Sequence, residues 1–151
     1  MMKHLTRVLA LVLLVAAMAT LLVSCNKYPS LKKAFEKEGY KENEKLENAA
    51  AKIKEDLEKD DLAVTLHLLT KESNRITSVL IIEFKATEDM KKAYDDSATL
   101  QGLVKDVSKN EDAQAFADAL ENAGYAKGNC LAVPLSIMYI NEITNIVKSV
   151  K

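Results

Sequence analysis

Leu62-Ala63-Val64-Thr65-Leu66-His67-Leu68 and Thr77-Ser78-Val79-Leu80-Ile81-Ile82-Glu83-Phe84 are the two runs whose reading decides the fold. In the first, Leu62, Val64, Leu66 and Leu68 recur at every second position, the period at which side chains leave a strand on one side. In the second, Leu80, Ile82 and Phe84 share one side, and Val79, Ile81 and Glu83 share the other. The polar Glu72-Ser73-Asn74 between them supplies turn chemistry, so the pair reads as an antiparallel hairpin. A third strand is expected at Cys130-Leu131-Ala132-Val133, closed by Pro134, which has no backbone N–H for a ladder.

Around these strands the apolar spacing is helical. Ser30 reads as the N-cap of a helix carrying Leu31, Ala34 and Phe35, with Gly39 as its stop. Leu46, Ala49, Ala50, Ile53 and Leu57 form the stripe of a second. Thr87 opens a third, with Glu88 and Asp89 where the helix dipole favours acids. Ser97 caps one with Leu100, Leu103, Val104 and Val107. Asn110 caps another with Ala113, Phe116, Ala117 and Leu120, stopped by Gly124. A last helix from Ser136 carries Ile140, Ile143 and Val147. The sum is an α+β fold, a small antiparallel sheet of about three strands with helices packed on one face. If Tyr40 to Leu46 were a strand, the order would become the ferredoxin-like βαββαβ with extra terminal helices. Lys41, Glu42, Asn43, Glu44 and Lys45 are too polar for a central strand, which favours the first arrangement.

The chain has 151 residues, and its beginning is unlike the rest. Lys3 and Arg7 precede Val8 to Val23, a run without a charge. At ~1.5 Å per residue it spans about 24 Å, short of the ~30 Å of a bilayer core, and has the size of a signal-peptide core. It closes on Leu22-Val23-Ser24-Cys25, which resembles the lipobox of bacterial lipoproteins. The resemblance implies that residues 1–24 are a signal peptide that is removed. It also implies that Cys25 carries a diacylglyceryl group and becomes the acylated N-terminus. Residues 25–30 would then be a short lipidated tether and 31–151 a single domain. The expected location is extracytoplasmic, on the cell membrane, or on the outer membrane where there are two. Asn26 departs from the aspartate that this family uses for inner-membrane retention. Ala17-Met18-Ala19 offers an ordinary signal peptidase an alternative site.

Charge excludes one class of partner. Lys and Arg number 21 against 22 Asp and Glu, and a nucleic-acid binder normally carries a basic footprint. With Cys25 acylated, Cys130 is the remaining thiol, so no internal disulfide forms, and its neighbours Leu131, Ala132 and Val133 point to a buried, inert group.

The chemistry-bearing residues are few. After the leader, His67 is the one histidine, without a nucleophile pattern beside it. No Cys or His pair has metal-ligand spacing. The acidic pairs Asp60-Asp61, Glu88-Asp89, Asp95-Asp96 and Glu111-Asp112 match no calcium loop, and two of them sit at expected helix starts. No glycine-rich phosphate loop is present and no cofactor is expected. Tyr125-Ala126-Lys127-Gly128-Asn129 is a candidate contact loop beside the third strand. The expected function is a non-enzymatic, membrane-anchored binding module, monomeric, for an unidentified protein or small molecule. The alternatives are a structural envelope component and a carboxylate-dependent hydrolase. The candidate binding surface is the sheet face bearing His67, Val79 and Ile81, if the chain's own helices leave it uncovered. Ile81→Lys on such an open patch would disturb folding little.

Overall fold

The two alternating runs form a long antiparallel hairpin, β2 (Val64–Lys71) and β3 (Asn74–Phe84), joined by the two-residue turn Glu72-Ser73. The computed structural model describes residues 26–46, 48–104 and 119–151. Ahead of the hairpin lie α1 (Tyr28–Lys37), β1 (Tyr40–Asn43) and α2 (Asn48–Lys59). After it come α3 (Thr87–Asp96), α4 (Ala98–Val104), the helical residues 119–123, β4 (Ala126–Lys127), β5 (Cys130–Pro134), a 3-10 turn (Ile137–Tyr139) and α5 (Ile140–Ser149). The α+β class is as expected, but the sheet has five strands rather than about three, in the order β1-β2-β3-β5-β4.

The two extra strands sit at the edges. Tyr40–Asn43 pairs with β2 alone, so its polar residues need only one neighbour. Tyr40 turns inward and is buried, whereas Lys41 and Glu42 lie at the surface. Ala126–Lys127 pairs with Leu131 and Cys130 in a tight hairpin, so the expected contact loop at Tyr125–Asn129 is instead sheet and turn, with Ala126 and Asn129 buried. The ferredoxin-like alternative fails on topology. It needs β1 and β2 parallel with β3 between them, whereas β1 here lies directly beside β2 and antiparallel to it.

Helices cover both faces of the sheet, not one. Leu68, Leu80, Ile82, Phe84, Leu131 and Val133 pack with Ala50 and Leu57 of α2, Met90 and Ala93 of α3, Leu100 of α4, and Leu120. On the opposite face Leu69, Val79, Ile81, Cys130 and Ala132 meet Tyr28, Leu31 and Phe35 of α1 and Ile143, Ile146 and Val147 of α5. The alternation read from the sequence is right for both strands, since the apolar residues of their two sides enter two opposite clusters. Asn110, Ala113, Phe116, Ala117 and Val107 lie outside the described residues, as do Cys25 and the leader.

Helix α1 begins earlier than expected. It starts at Tyr28 with Pro29 in its first turn, where a missing N–H leaves no bond unmade. Ser30 is therefore inside the helix, and the stretch expected as a tether up to Ser30 is part of the fold from Asn26 onward. The helix closes at Gly39, whose φ of 85° is open to glycine and strained for other residues. Gly124 has the same φ, and a Cβ there would lie 2.5 Å from the Thr144 carbonyl oxygen of α5, so glycine lets the helical residues 119–123 turn hard against that helix. Ser97 does cap α4, its Oγ accepting the Leu100 N–H at 3.2 Å.

Candidate functional site

On the face under α1, neighbouring strands bring three ionisable side chains into line. Glu42 of β1, His67 of β2 and Glu83 of β3 point to the same side, because β2 pairs His67 with Ile81 and β1 pairs Glu42 with Leu69. Imidazole Nδ1 lies 2.8 Å from Glu42 Oε1, and Nε2 lies 2.7 Å from Glu83 Oε2. A neutral ring could donate to only one of them. Helix α1 completes the array. The Lys32 ammonium is 2.6 Å from Glu42 Oε2, and the Tyr28 ring stacks on the imidazole with centroids 3.5 Å apart. Asn26 Nδ2 donates to Glu83 Oε1 at 2.8 Å.

The electrostatics suit binding within the fold more than proton transfer. The Lys32 hydrogen bond leads, with His67 contributing, in holding Glu42 down at about 2 against an ordinary 4.5, despite partial burial. A general acid needs the opposite shift. Burial, and behind it the Glu42 carboxylate, keeps the Tyr28 hydroxyl protonated well above its ordinary range, although it is out of hydrogen-bonding geometry. Both imidazole nitrogens are engaged, so none faces a would-be substrate. The two carboxylates lie on opposite ring nitrogens and cannot share a metal ion, and no three His, Cys, Asp or Glu among the described residues are gathered as ligands.

A second array sits at the other end of the same face. Glu142 Oε1 of α5 accepts from Lys71 Nζ at 2.6 Å and from the Tyr40 hydroxyl at 2.8 Å. These bonds, Lys71 foremost, lower the Glu142 pKa. Lys71 also lies 5.6 Å above the Tyr40 ring, within cation–π range.

A third set ties the start of the chain to the sheet. The Lys27 N–H donates to Asn129 Oδ1 at 2.9 Å, and Asn129 Nδ2 donates to the Phe84 carbonyl at 2.7 Å. The Asn26 side chain also accepts the Tyr28 N–H at 2.9 Å, a local turn that launches α1. Lys27 Nζ reaches the Lys151 carbonyl at 3.2 Å, so both ends of the described chain meet here.

The candidate surface itself is absent. Val79 and Ile81 are fully buried under α1 and α5, and His67 is held beneath Tyr28. The physical reason is that a half-apolar sheet face is covered by the helices at hand. Cys25, the lipidation candidate, lies outside the described residues.

Members of three acidic pairs, Asp60, Asp61, Asp89 and Asp96, line one open concavity of about 470 Å³, together with Lys85 and Lys92. Asp60 accepts from Ser97 Oγ at 2.5 Å and from the Thr99 N–H at 3.3 Å, bonds that lower its pKa and cap α4. Glu88 and Asp89 lie in the first turn of α3, Asp95 and Asp96 are exposed at its end, and Glu111-Asp112 is outside the described residues. Cys130 is fully buried, and burial pushes its thiol up to about 12. An open groove of about 620 Å³ lies between α1 and α5, with Lys33 and Lys37 on one wall and Asn145 and Ser149 on the other.

The sequence reading did not assign Glu42, Lys32, Tyr28 or Asn26 to a site, and it placed Asn129 only in the expected contact loop. Alternation already put His67 and Glu83 on one face; placing Glu42 beside them required reading Tyr40–Asn43 as an edge strand. Among the described residues no helix is long and apolar enough to cross a membrane. Compared with models of known protein families, with curated protein sequences and with solved structures, the chain shows no match.

Proposed function

We propose that the chain is a lipoprotein held by Cys25 on the outer face of a cell membrane, where its folded part acts as a non-enzymatic interaction module. The observation that carries this is the uncharged run Val8 to Val23 behind Lys3 and Arg7, ending in Leu22-Val23-Ser24-Cys25. One acyl chain anchors marginally, and two or more hold stably, so diacylation would suffice without a spanning helix. The non-enzymatic part is supported by the occupied nitrogens of His67 and the firmly ionised Glu42.

Cys25→Ser tests the anchor. The variant is expected to accumulate with its leader attached and to lose labelling by a fatty-acid probe, and equal labelling of wild type and variant would overturn the reading. Photo-crosslinking of the lipidated protein in its native membrane tests the module. Discrete covalent adducts support it, and turnover of a substrate by the purified protein counts against it.

A further inference from the structure

The chain has no slack between the lipidation candidate and the folded sheet. Consecutive Cα atoms are ~3.8 Å apart, so Cys25 can stand no farther than that from Asn26. Asn26 is already bonded to Glu83, and Lys27 to Asn129, whose own side chain is buried and bonded to the Phe84 carbonyl. Tyr28 then enters α1 and the core.

These contacts all lie at one end of the sheet. Phe84 ends β3, and its N–H bonds to the Asn129 carbonyl in the β4–β5 turn. Lys27, Lys127, Gly128 and Lys151 gather at that end and keep partial or full exposure. The hairpin turn Glu72-Ser73 is at the other end of β3, whose eleven residues span about 33 Å.

We propose that lipid on Cys25 seats the fold end-on against the bilayer, with Lys27, Lys127, Gly128 and Lys151 in the phosphate-bearing headgroup layer. This rests on the anchor reading above and adds an orientation to it. The partner is the lipid surface, because the anchor lies one peptide unit from the clamped Asn26. The charge of this end is mixed, since Glu121 pairs with Lys127 at 3.7 Å and Asp60, Asp61, Asp89 and Asp96 line a concavity with Phe84. The strands then stand along the membrane normal, and the Glu72-Ser73 turn points away from the membrane. A flexible tether would instead let every side of the fold visit the surface.

The test uses the mature acylated protein in vesicles of phosphatidylethanolamine and phosphatidylglycerol that contain a nitroxide-headgroup lipid. Lys127→Cys and Ser73→Cys each take one fluorophore, since Cys130 is fully buried and Cys25 is acylated. Quenching is expected at position 127 and not at 73. Inserting a Gly/Ser linker of about 12 residues between Cys25 and Asn26 should abolish the difference. Equal quenching at both positions in protein that floats with the vesicles overturns the seating and leaves the anchor standing. Failure to float, with the same result for Cys25→Ser, overturns both.

Discussion

The ring of Tyr28 lies flat on the imidazole of His67, 3.5 Å between centroids and 13° from parallel. This stack joins the first residue of α1 to the second strand of the sheet, and the two carboxylates on His67 extend the tie to both neighbouring strands. His67→Ala removes the stack and leaves Glu42 and Glu83 without their shared partner. The expected cost is about 2 kcal/mol, from lost aromatic contact and unmade charged hydrogen bonds. Urea unfolding measures it, and an unchanged midpoint would contradict the role given to the array.

Ile81 is fully buried between the sheet and the helices above it. Ile81→Lys is therefore expected to destabilise by about 4 kcal/mol or more, the range for burying an unpaired charge. On an exposed patch the same change would shift stability by about 0.5 kcal/mol. The far-ultraviolet melting curve separates the two outcomes.

That contrast marks where the sequence stops being informative. The period of two in Val64 to Leu68 and Val79 to Phe84 established the strands and which residues share a side. It could not say which side was covered, because Val79 and Ile81 suit a covered face and an exposed patch equally. Position within the sheet was also hidden. Tyr40–Asn43 is polar in composition, and only its place at the edge makes that tolerable. The Glu42–His67–Glu83 line inherits this blindness, since it needs a strand that composition argues against. Glycine was more legible: Gly39 and Gly124 were read as stops, and both have φ of 85°.

Acid should weaken the fold through Glu42. Its pKa is held at about 2 in the folded state against an ordinary 4.5, so its stabilising contribution is complete above pH 4.5. The contribution is lost as pH falls from 4.5 through about 2, and Glu142, also lowered, acts in the same direction. Denaturant midpoints across that window should fall for the wild type and fall less steeply for Glu42→Gln. Parallel curves would show that Glu42 is not the group responsible.

The two glycines separate strain from collision. Gly39→Ala forces a positive φ into open space and should cost about 1 kcal/mol. Gly124→Ala adds a Cβ that would sit 2.5 Å from the Thr144 oxygen and should cost more, about 3 kcal/mol. Thermal unfolding of the pair tests the ranking, and equal losses would mean that α5 can move aside.

Cys130 should resist thiol reagents in the native protein. It is fully buried, and its thiol is pushed up to about 12 by burial first and Glu83 second. Ellman's reagent should react with protein lacking residues 1–25 only after denaturant is added. Rapid native labelling would place the thiol elsewhere.

The sheet's borders are unequal to its interior. The outermost strands are four and two residues long, and the longer one presents Lys41 and Glu42 at its surface. An unpaired strand edge is a template on which another chain can add. Molecules confined to a two-dimensional surface meet one another far more often than the same number dispersed in a volume, which raises the hazard of strand-to-strand accretion. Edges this short, one of them charged, give a neighbouring copy little ladder to extend. If lipid on Cys25 holds the chain as proposed, its molecules would tolerate crowding to high surface density and still remain separate.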